Sequence, residues 1–308
     1  MFENVVGNTK VKKILENAIN NKTILHSYLF IGEEGIGKKL LAKEFAKTIL
    51  CTSENNKPCD ICKSCVEFNS NNNVNFSIIN EDGSGIKIED IRNMQNKIAE
   101  KPINSEYKVY IIDDTELMRD DAQNCLLKTL EEPPEYVVII LITANENKIL
   151  NTIKSRCMKL YFNKLENNDM RKILTSKFNM TDIKESFLDA SNGSIKKALL
   201  IKEKSTEYEQ INKLFDIINK EDLVTFINSA EIIYNGKDDI YNILDYINIL
   251  LTNKMNENNK DSFKYANCIF TVEEVKKRLR ANSNYDMSID YLLMNMWKEI
   301  NSEGSSRY

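Results

Sequence analysis

The chain has 308 residues, 42% of them hydrophobic and 29% charged, with a net charge of -4 and a pI of about 5.4. That length suits about two domains with a sizeable core, and the acidic balance argues against a protein that holds DNA alone by general attraction to phosphates. No apolar run approaches the roughly 20 residues needed to cross a bilayer, and Met1-Phe2-Glu3-Asn4 lacks the basic and apolar regions of a signal peptide, so a cytoplasmic location is expected.

Residues 8 to 20 predict an amphipathic helix, with Val11, Ile14, Leu15, Ala18 and Ile19 on one side. Ser27-Tyr28-Leu29-Phe30-Ile31 predicts a buried strand that ends at glycine, and Leu40, Leu41, Phe45, Ile49 and Leu50 mark the helix after it. Further strands are expected at 76–79, 109–113, 137–142 and 159–162. Helices are expected between them, one with Ile88, Ile91, Met94 and Ile98 inward and one over Ala122 to Leu130 that closes at Pro133-Pro134. Alternating strands and helices predict an α/β module with a parallel sheet covered on both faces. Beyond about residue 163 the strand pattern fades. Residues 164–205 are expected to form a small helical unit and 206–308 a larger all-helical one. Asn256 to Asp261 is expected to be a loop, and the tail from Gly304 is expected to fray.

Between the first strand and its helix lies Gly32-Glu33-Glu34-Gly35-Ile36-Gly37-Lys38-Lys39. Gly-x4-Gly-Lys in that context is a phosphate-binding loop, in which glycines let backbone N–H groups cradle phosphate oxygens and Lys38 reaches the terminal phosphates. The next position should hold a Ser or Thr hydroxyl for a magnesium ion. Lys39 stands there, and an ammonium cannot ligate a metal. Nucleotide binding with ATP and Mg2+ is therefore doubtful at this site, and the bland alternative is that Lys39 is a solvated helix residue. Asp113 and Asp114 end an apolar strand, where an acidic motif would hold a hydrated metal ion; the alternative is an acidic strand-to-helix turn.

Seven cysteines, four of them clustered, fit metal or free thiols better than disulfides. Cys51, Cys59, Cys62 and Cys65 have the spacing C-x7-C-x2-C-x2-C, which suits a closed tetrahedral Zn2+ site of structural kind. Cys125, Cys157 and Cys268 are expected to be ordinary buried thiols. His26, the single histidine, precedes a strand and is expected to be structural. Arg156, in Ser155-Arg156-Cys157, reads from spacing alone as a surface salt-bridge residue.

Taken together, these residues resemble the bacterial clamp-loader branch of the AAA+ proteins. The resemblance runs through Leu25-His26-Ser27-Tyr28-Leu29-Phe30, the loop Gly32 to Lys38, the four cysteines, Ile111-Ile112-Asp113-Asp114, the run Leu126-Leu127-Lys128-Thr129-Leu130-Glu131-Glu132-Pro133-Pro134, and Ser155-Arg156-Cys157. It covers about residues 1 to 165 well and the rest weakly. It implies an AAA+ module over 1–163 with a zinc knuckle at 51–65, a helical lid over 164–205, and a helical collar over 206–308 that holds a ring together. It also implies gamma/tau and delta clamp-loader subunits as partners and, through the complex, a sliding clamp and primer–template DNA.

Hydrolysing members of the family carry Thr after the loop lysine, Glu after the strand aspartate and Arg in the lid helix. Here those positions hold Lys39, Asp114 and Lys196. The resemblance therefore implies little ATPase activity in cis, with Arg156 completing the ATP site of an adjacent subunit. Thr143 matches the position of a sensor for the γ-phosphate. The alternatives are an ATP-hydrolysing gamma/tau-type motor, a P-loop nucleotide kinase, and a zinc-dependent DNA-binding module.

Overall fold

The computed structural model describes residues 1–54, 56–257 and 261–302. The tail from Gly304 lies outside the described residues, as does the middle of the loop expected at Asn256 to Asp261. The chain divides into two compact units, one of residues 1–181 and 193–196 and one of residues 182–192 and 197–308.

The first unit is built on five parallel strands: β1 (Ser27–Ile31), β2 (Phe76–Ile79), β3 (Lys108–Ile112), β4 (Val137–Thr143) and β5 (Met158–Tyr161). Their order is β2-β3-β4-β1-β5. Every residue of β1, β3 and β4 is buried, which explains why they read as unbroken apolar runs. Alternate residues serve opposite faces. Tyr28, Phe30, Val109, Ile111, Val138 and Ile140 pack with α1 (Thr9–Asn20) and α2 (Lys38–Leu50). Leu29, Ile31, Tyr110, Ile112, Ile139 and Leu141 pack on the other side. The helices after α2 are α3 (Lys63–Asn69), α4 (Ile88–Ile98), α5 (Asp120–Glu131), α6 (Asn151–Lys154) and α7 (Asn167–Phe178). Ile91, Met94 and Ile98 of α4 and Ala122, Leu126 and Leu130 of α5 fill that second layer.

All five strands run the same way, so the loops that leave β1, β3 and β4 emerge at one end of the sheet. In open α/β sheets, ligands sit outside the carboxyl ends of the strands. The phosphate loop, Asp113 and Thr143 are at that end.

The second unit is helical: α8 (Glu185–Ser191), most of α9 (Ile195–Glu203), α10 (Ser205–Ile217), α11 (Leu223–Asn228), α12 (Glu231–Asn235), α13 (Ile240–Glu257), α14 (Ser262–Arg280) and α15 (Tyr285–Asn301). One core holds it, including Ile211, Phe226, Leu244, Ile247, Val272, Ile289 and Leu292. Helix α13 runs to Glu257, two residues into the stretch expected to be a loop, because its apolar face carries Leu250 and Leu251 into the core.

Candidate functional site

The phosphate loop connects β1 to α2. Gly35 and Gly37 have φ of 75° and 95°, a region that favours glycine. A Cβ at Gly35 would meet the Ser194 Oγ and would lie 2.6 Å from the Lys196 N. The loop is anchored by a bond from the Gly32 N–H to the Thr143 carbonyl, 3.2 Å, and Leu41 N–H closes the first turn of α2 on the Gly37 carbonyl. The first amides of α2 have no acceptor within the helix, which gives the backbone the form of an anion cradle.

The side chains tell a different story. Lys38 is buried, and its ammonium donates to the Gly32 and Glu33 carbonyls at 2.5 and 2.6 Å. Burial lowers its pKa, opposed by the charges of Glu116, Glu34, Asp113 and Asp114. Lys39 forms an ion pair with Asp113, Nζ to Oδ2 2.9 Å, and donates to the Glu81 carbonyl at 3.1 Å. Lys196 pairs with Glu34, Lys164 pairs with Glu33 at 3.0 Å, and the Ser194 hydroxyl donates to the Glu34 carbonyl. The Ile195 N–H donates to the Gly35 carbonyl at 2.9 Å. Segment 193–196 is thus fastened onto the loop.

Asp113 is buried behind β3, and Asp114 follows it in the left-handed region with φ 47°. Burial raises the Asp114 pKa, reinforced by Asp113, Glu116 and Glu34. Thr143 is fully buried, and its hydroxyl accepts from the Asn145 N–H at 3.0 Å. Glu116 was not anticipated from sequence. Its Oε1 accepts from the Ala144 N–H at 2.8 Å, which ties the ends of β3 and β4, and its Oε2 is buried without a partner among the described residues. The structure therefore brings together Gly32, Gly35, Gly37, Lys38, Lys39, Asp113, Asp114, Thr143 and Lys196. The donor set does not fit a magnesium ion. Where a hydroxyl and a free carboxylate would coordinate it, an ammonium is paired with the carboxylate.

Arg156 is elsewhere. It precedes β5, and its carbonyl accepts from the Ser27 hydroxyl at the start of β1, 2.7 Å. The phosphate loop begins at the other end of β1, five residues on, or about 16 Å at roughly 3.3 Å per residue. Arg156 thus lies at the opposite end of β1 from its own loop. Its guanidinium pairs with Glu131 at 2.7 Å and donates to the Thr152 carbonyl at 2.8 Å and the Ser155 hydroxyl at 3.4 Å. The plain reading from spacing, a surface salt bridge, is thus present. His26 Nδ1 lies 3.3 Å from the Val137 carbonyl, a structural contact.

The sulfurs of Cys51, Cys59, Cys62 and Cys65 all lie within 4.8 Å of one another. A tetrahedron with bonds of about 2.3 Å sets its sulfurs roughly 3.8 Å apart, and the Cys51 and Cys62 sulfurs are separated by 4.0 Å. Backbone N–H groups of Cys62 and Cys65 donate to the sulfurs of Cys59 and Cys62 at 3.3 and 3.4 Å, bonds that favour a thiolate. Burial acts to raise the Cys62 pKa, but hydrogen bonds from Thr52 and the Cys65 amide outweigh it and draw that thiol down. The four residues fit a metal ion. Of the remaining cysteines only Cys268 is fully buried; Cys125 and Cys157 are half-buried.

The family profile described as "DNA polymerase III, delta subunit" matches residues 7–166. The chain belongs to this family. It is 33% identical to DNA polymerase III subunit tau of Bacillus subtilis over 77% of its own length and 42% of that protein. It is 36% identical to DNA polymerase III subunit delta' of the same organism over 51% of its length and 48% of that protein. The chain thus spans less than half the length of these two curated relatives. A crystal structure of a DNA polymerase III gamma subunit-related protein from Thermotoga maritima superposes with a TM-score of 0.49 at 20% identity, over 92% of this chain and 99% of that one. Among the described residues no helix is long and apolar enough to cross a membrane.

Proposed function

We propose that this chain is a clamp-loader subunit of the delta-prime type in a DNA polymerase III holoenzyme. It helps open a ring-shaped sliding clamp and place it on primer–template DNA, while neighbouring gamma/tau subunits hydrolyse the ATP. Residues 164–205 act as the lid and 206–308 as the collar through which it joins gamma/tau and delta. The observation that carries this reading is the Lys39–Asp113 ion pair, 2.9 Å long. It sets a tethered cation against the carboxylate that would hold the metal, so the chain's own site lacks the means for metal-assisted hydrolysis. Asp114, one methylene shorter than Glu, and Lys196, engaged with Glu34, weaken it further.

Arg156 supports the other half of the reading. It lies about 16 Å along the sheet from its own loop and half-exposed, so a phosphoryl group that it stabilises must belong to another subunit. Arginines supplied in this way contribute roughly 10³–10⁵ in rate. Cys51, Cys59, Cys62 and Cys65 hold Zn2+, which fixes the loop between α2 and α3; with four protein ligands no position stays open for catalysis.

One observation favours a second reading, a hydrolysing gamma/tau-type motor: the tau relative matches 77% of the chain and the delta' relative 51%. Hydrolysis by the purified chain with Mg2+ separates the two. Turnover close to background, with little gain on adding DNA and clamp, is expected. Vigorous turnover by the chain alone would overturn the proposal. In the reconstituted complex, Arg156→Ala should sharply lower ATPase activity without preventing assembly.

A further inference from the structure

Arg156 is held by two partners of different kinds. The Thr152 carbonyl, 2.8 Å from Nη1, belongs to α6, which ends two residues before Arg156, and fixes where the guanidinium points. Glu131, 2.7 Å from Nη2, comes from the last turn of α5 and adds a negative charge. With the Ser155 hydroxyl at 3.4 Å, these partners use three of the five N–H donors of an arginine. Among the described residues the remaining donors are available to an incoming anion, but the carboxylate already neutralises the group that must attract it.

We propose that Glu131 is a charge placeholder for Arg156: it occupies the guanidinium until the triphosphate of a neighbouring subunit displaces it, and so sets the nucleotide concentration at which that neighbour's site is completed. The inference rests on the reading of Arg156 as a finger acting in trans. Glu131 is 49% exposed and Arg156 33%, and an exposed pair of this kind shifts an equilibrium by at most about fivefold. Direct repulsion agrees. A carboxylate and a phosphate oxygen bound to one guanidinium lie on the order of 5 Å apart, and in water that repulsion is worth about fourfold. The pair is therefore strong enough to bias Arg156 and weak enough to be displaced. A carboxylate whose task was to position the arginine would duplicate what the Thr152 carbonyl already does.

The test uses the reconstituted complex of this chain with its gamma/tau and delta partners. The gamma/tau copies carry Ala at their own counterparts of Arg156, so that this chain supplies the one finger. ATP is titrated and the steady-state rate is fitted for kcat and KM. Glu131→Gln keeps a hydrogen-bond acceptor and removes the charge; Glu131→Ala removes both. A placeholder predicts that both variants lower KM by about threefold to fivefold with kcat unchanged, and that added salt narrows the gap to the parent. If Glu131→Ala lowers kcat and Glu131→Gln restores it, Glu131 is a positioning residue and the inference is overturned. An unchanged KM in both variants overturns it as well. Arg156→Ala keeps the two levels apart. If it leaves the rate intact, the trans reading itself fails; if it abolishes the rate while the Glu131 variants change nothing, only the placeholder fails.

Discussion

Replacing Lys39 by threonine should convert a site closed by an ion pair into one open to a metal. The Asp113 side chain is 12% exposed and that of Lys39 34%, between the exposed pairs worth about 0.2–1 kcal/mol and the buried ones whose disruption costs about 3–5 kcal/mol. Removing the ammonium strands Asp113 in partial burial, so a loss of about 1–2 kcal/mol is expected from these limits. For a unit of about 150–250 residues each kcal/mol moves Tm by about 2–4 °C, so the variant should melt roughly 2–8 °C lower without metal. The introduced threonine hydroxyl and the Asp113 carboxylate would then offer oxygen ligands suited to Mg2+. At a hundredfold excess over Kd, a ligand restores about 2.7 kcal/mol. Scanning calorimetry with and without Mg2+ and ADP should therefore show a ligand-dependent rise in the variant and none in the parent. Lys39→Ala separates loss of the pair from gain of the hydroxyl, since it should lose stability and recover little. A parent that gains as much as Lys39→Thr from Mg2+ and ADP would refute the reasoning, as would a variant that neither loses stability nor responds.

The other expectations concern separate features. Native mass spectrometry should find one zinc per chain, and a strong chelator or Cys62→Ser should loosen the stretch between α2 and α3, seen as new protease cleavage there; an intact chain with no metal and the same protection would contradict the four-cysteine site. Gly35→Ala places a Cβ against the Ser194 hydroxyl and the Lys196 backbone at a φ of 75°, so it should cost more than about 1 kcal/mol and expose segment 193–196 to hydrogen exchange. In the helical unit, burial acts to raise the Asp245 pKa, but Lys276 and Lys197 outweigh it and hold the carboxyl below its usual 3.8. A depressed folded-state pKa adds stability above the unfolded value that is lost as pH falls through the folded one. Acid unfolding of the parent below about pH 3.8 should therefore be steeper than that of Asp245→Asn, as followed by far-UV circular dichroism.

Much of the first unit was legible because its signals are local. Buried parallel strands demand apolar side chains on both faces, so β1, β3 and β4 announce themselves as runs. Glycine spacing marks the loop because only certain positions need positive φ. Cysteine spacing marks the cluster because its ligands lie within fifteen positions of sequence, Cys51 to Cys65. The end of α13 was misplaced because Asn256 and Glu257 are polar, and polarity alone does not end a helix whose preceding turns are packed. Glu116 escaped notice because its partner, the Ala144 N–H, is 28 residues away, and nothing near it in sequence marks it as different from other acidic turn residues.

The sequence by itself determined that a phosphate loop lacks its hydroxyl, that four thiols are grouped, and that an arginine stands in a family-specific motif. Only the tertiary structure decided what those side chains do. Lys39 meets Asp113 because β1 and β3 lie on either side of β4 in parallel register, which brings together residues 74 positions apart in the chain. Arg156 stands at the opposite end of the sheet because it precedes β5 whereas the loop follows β1. Periodicity and residue type fix local conformation, but which charges neutralise one another depends on strand order and direction, and those are properties of the assembled sheet.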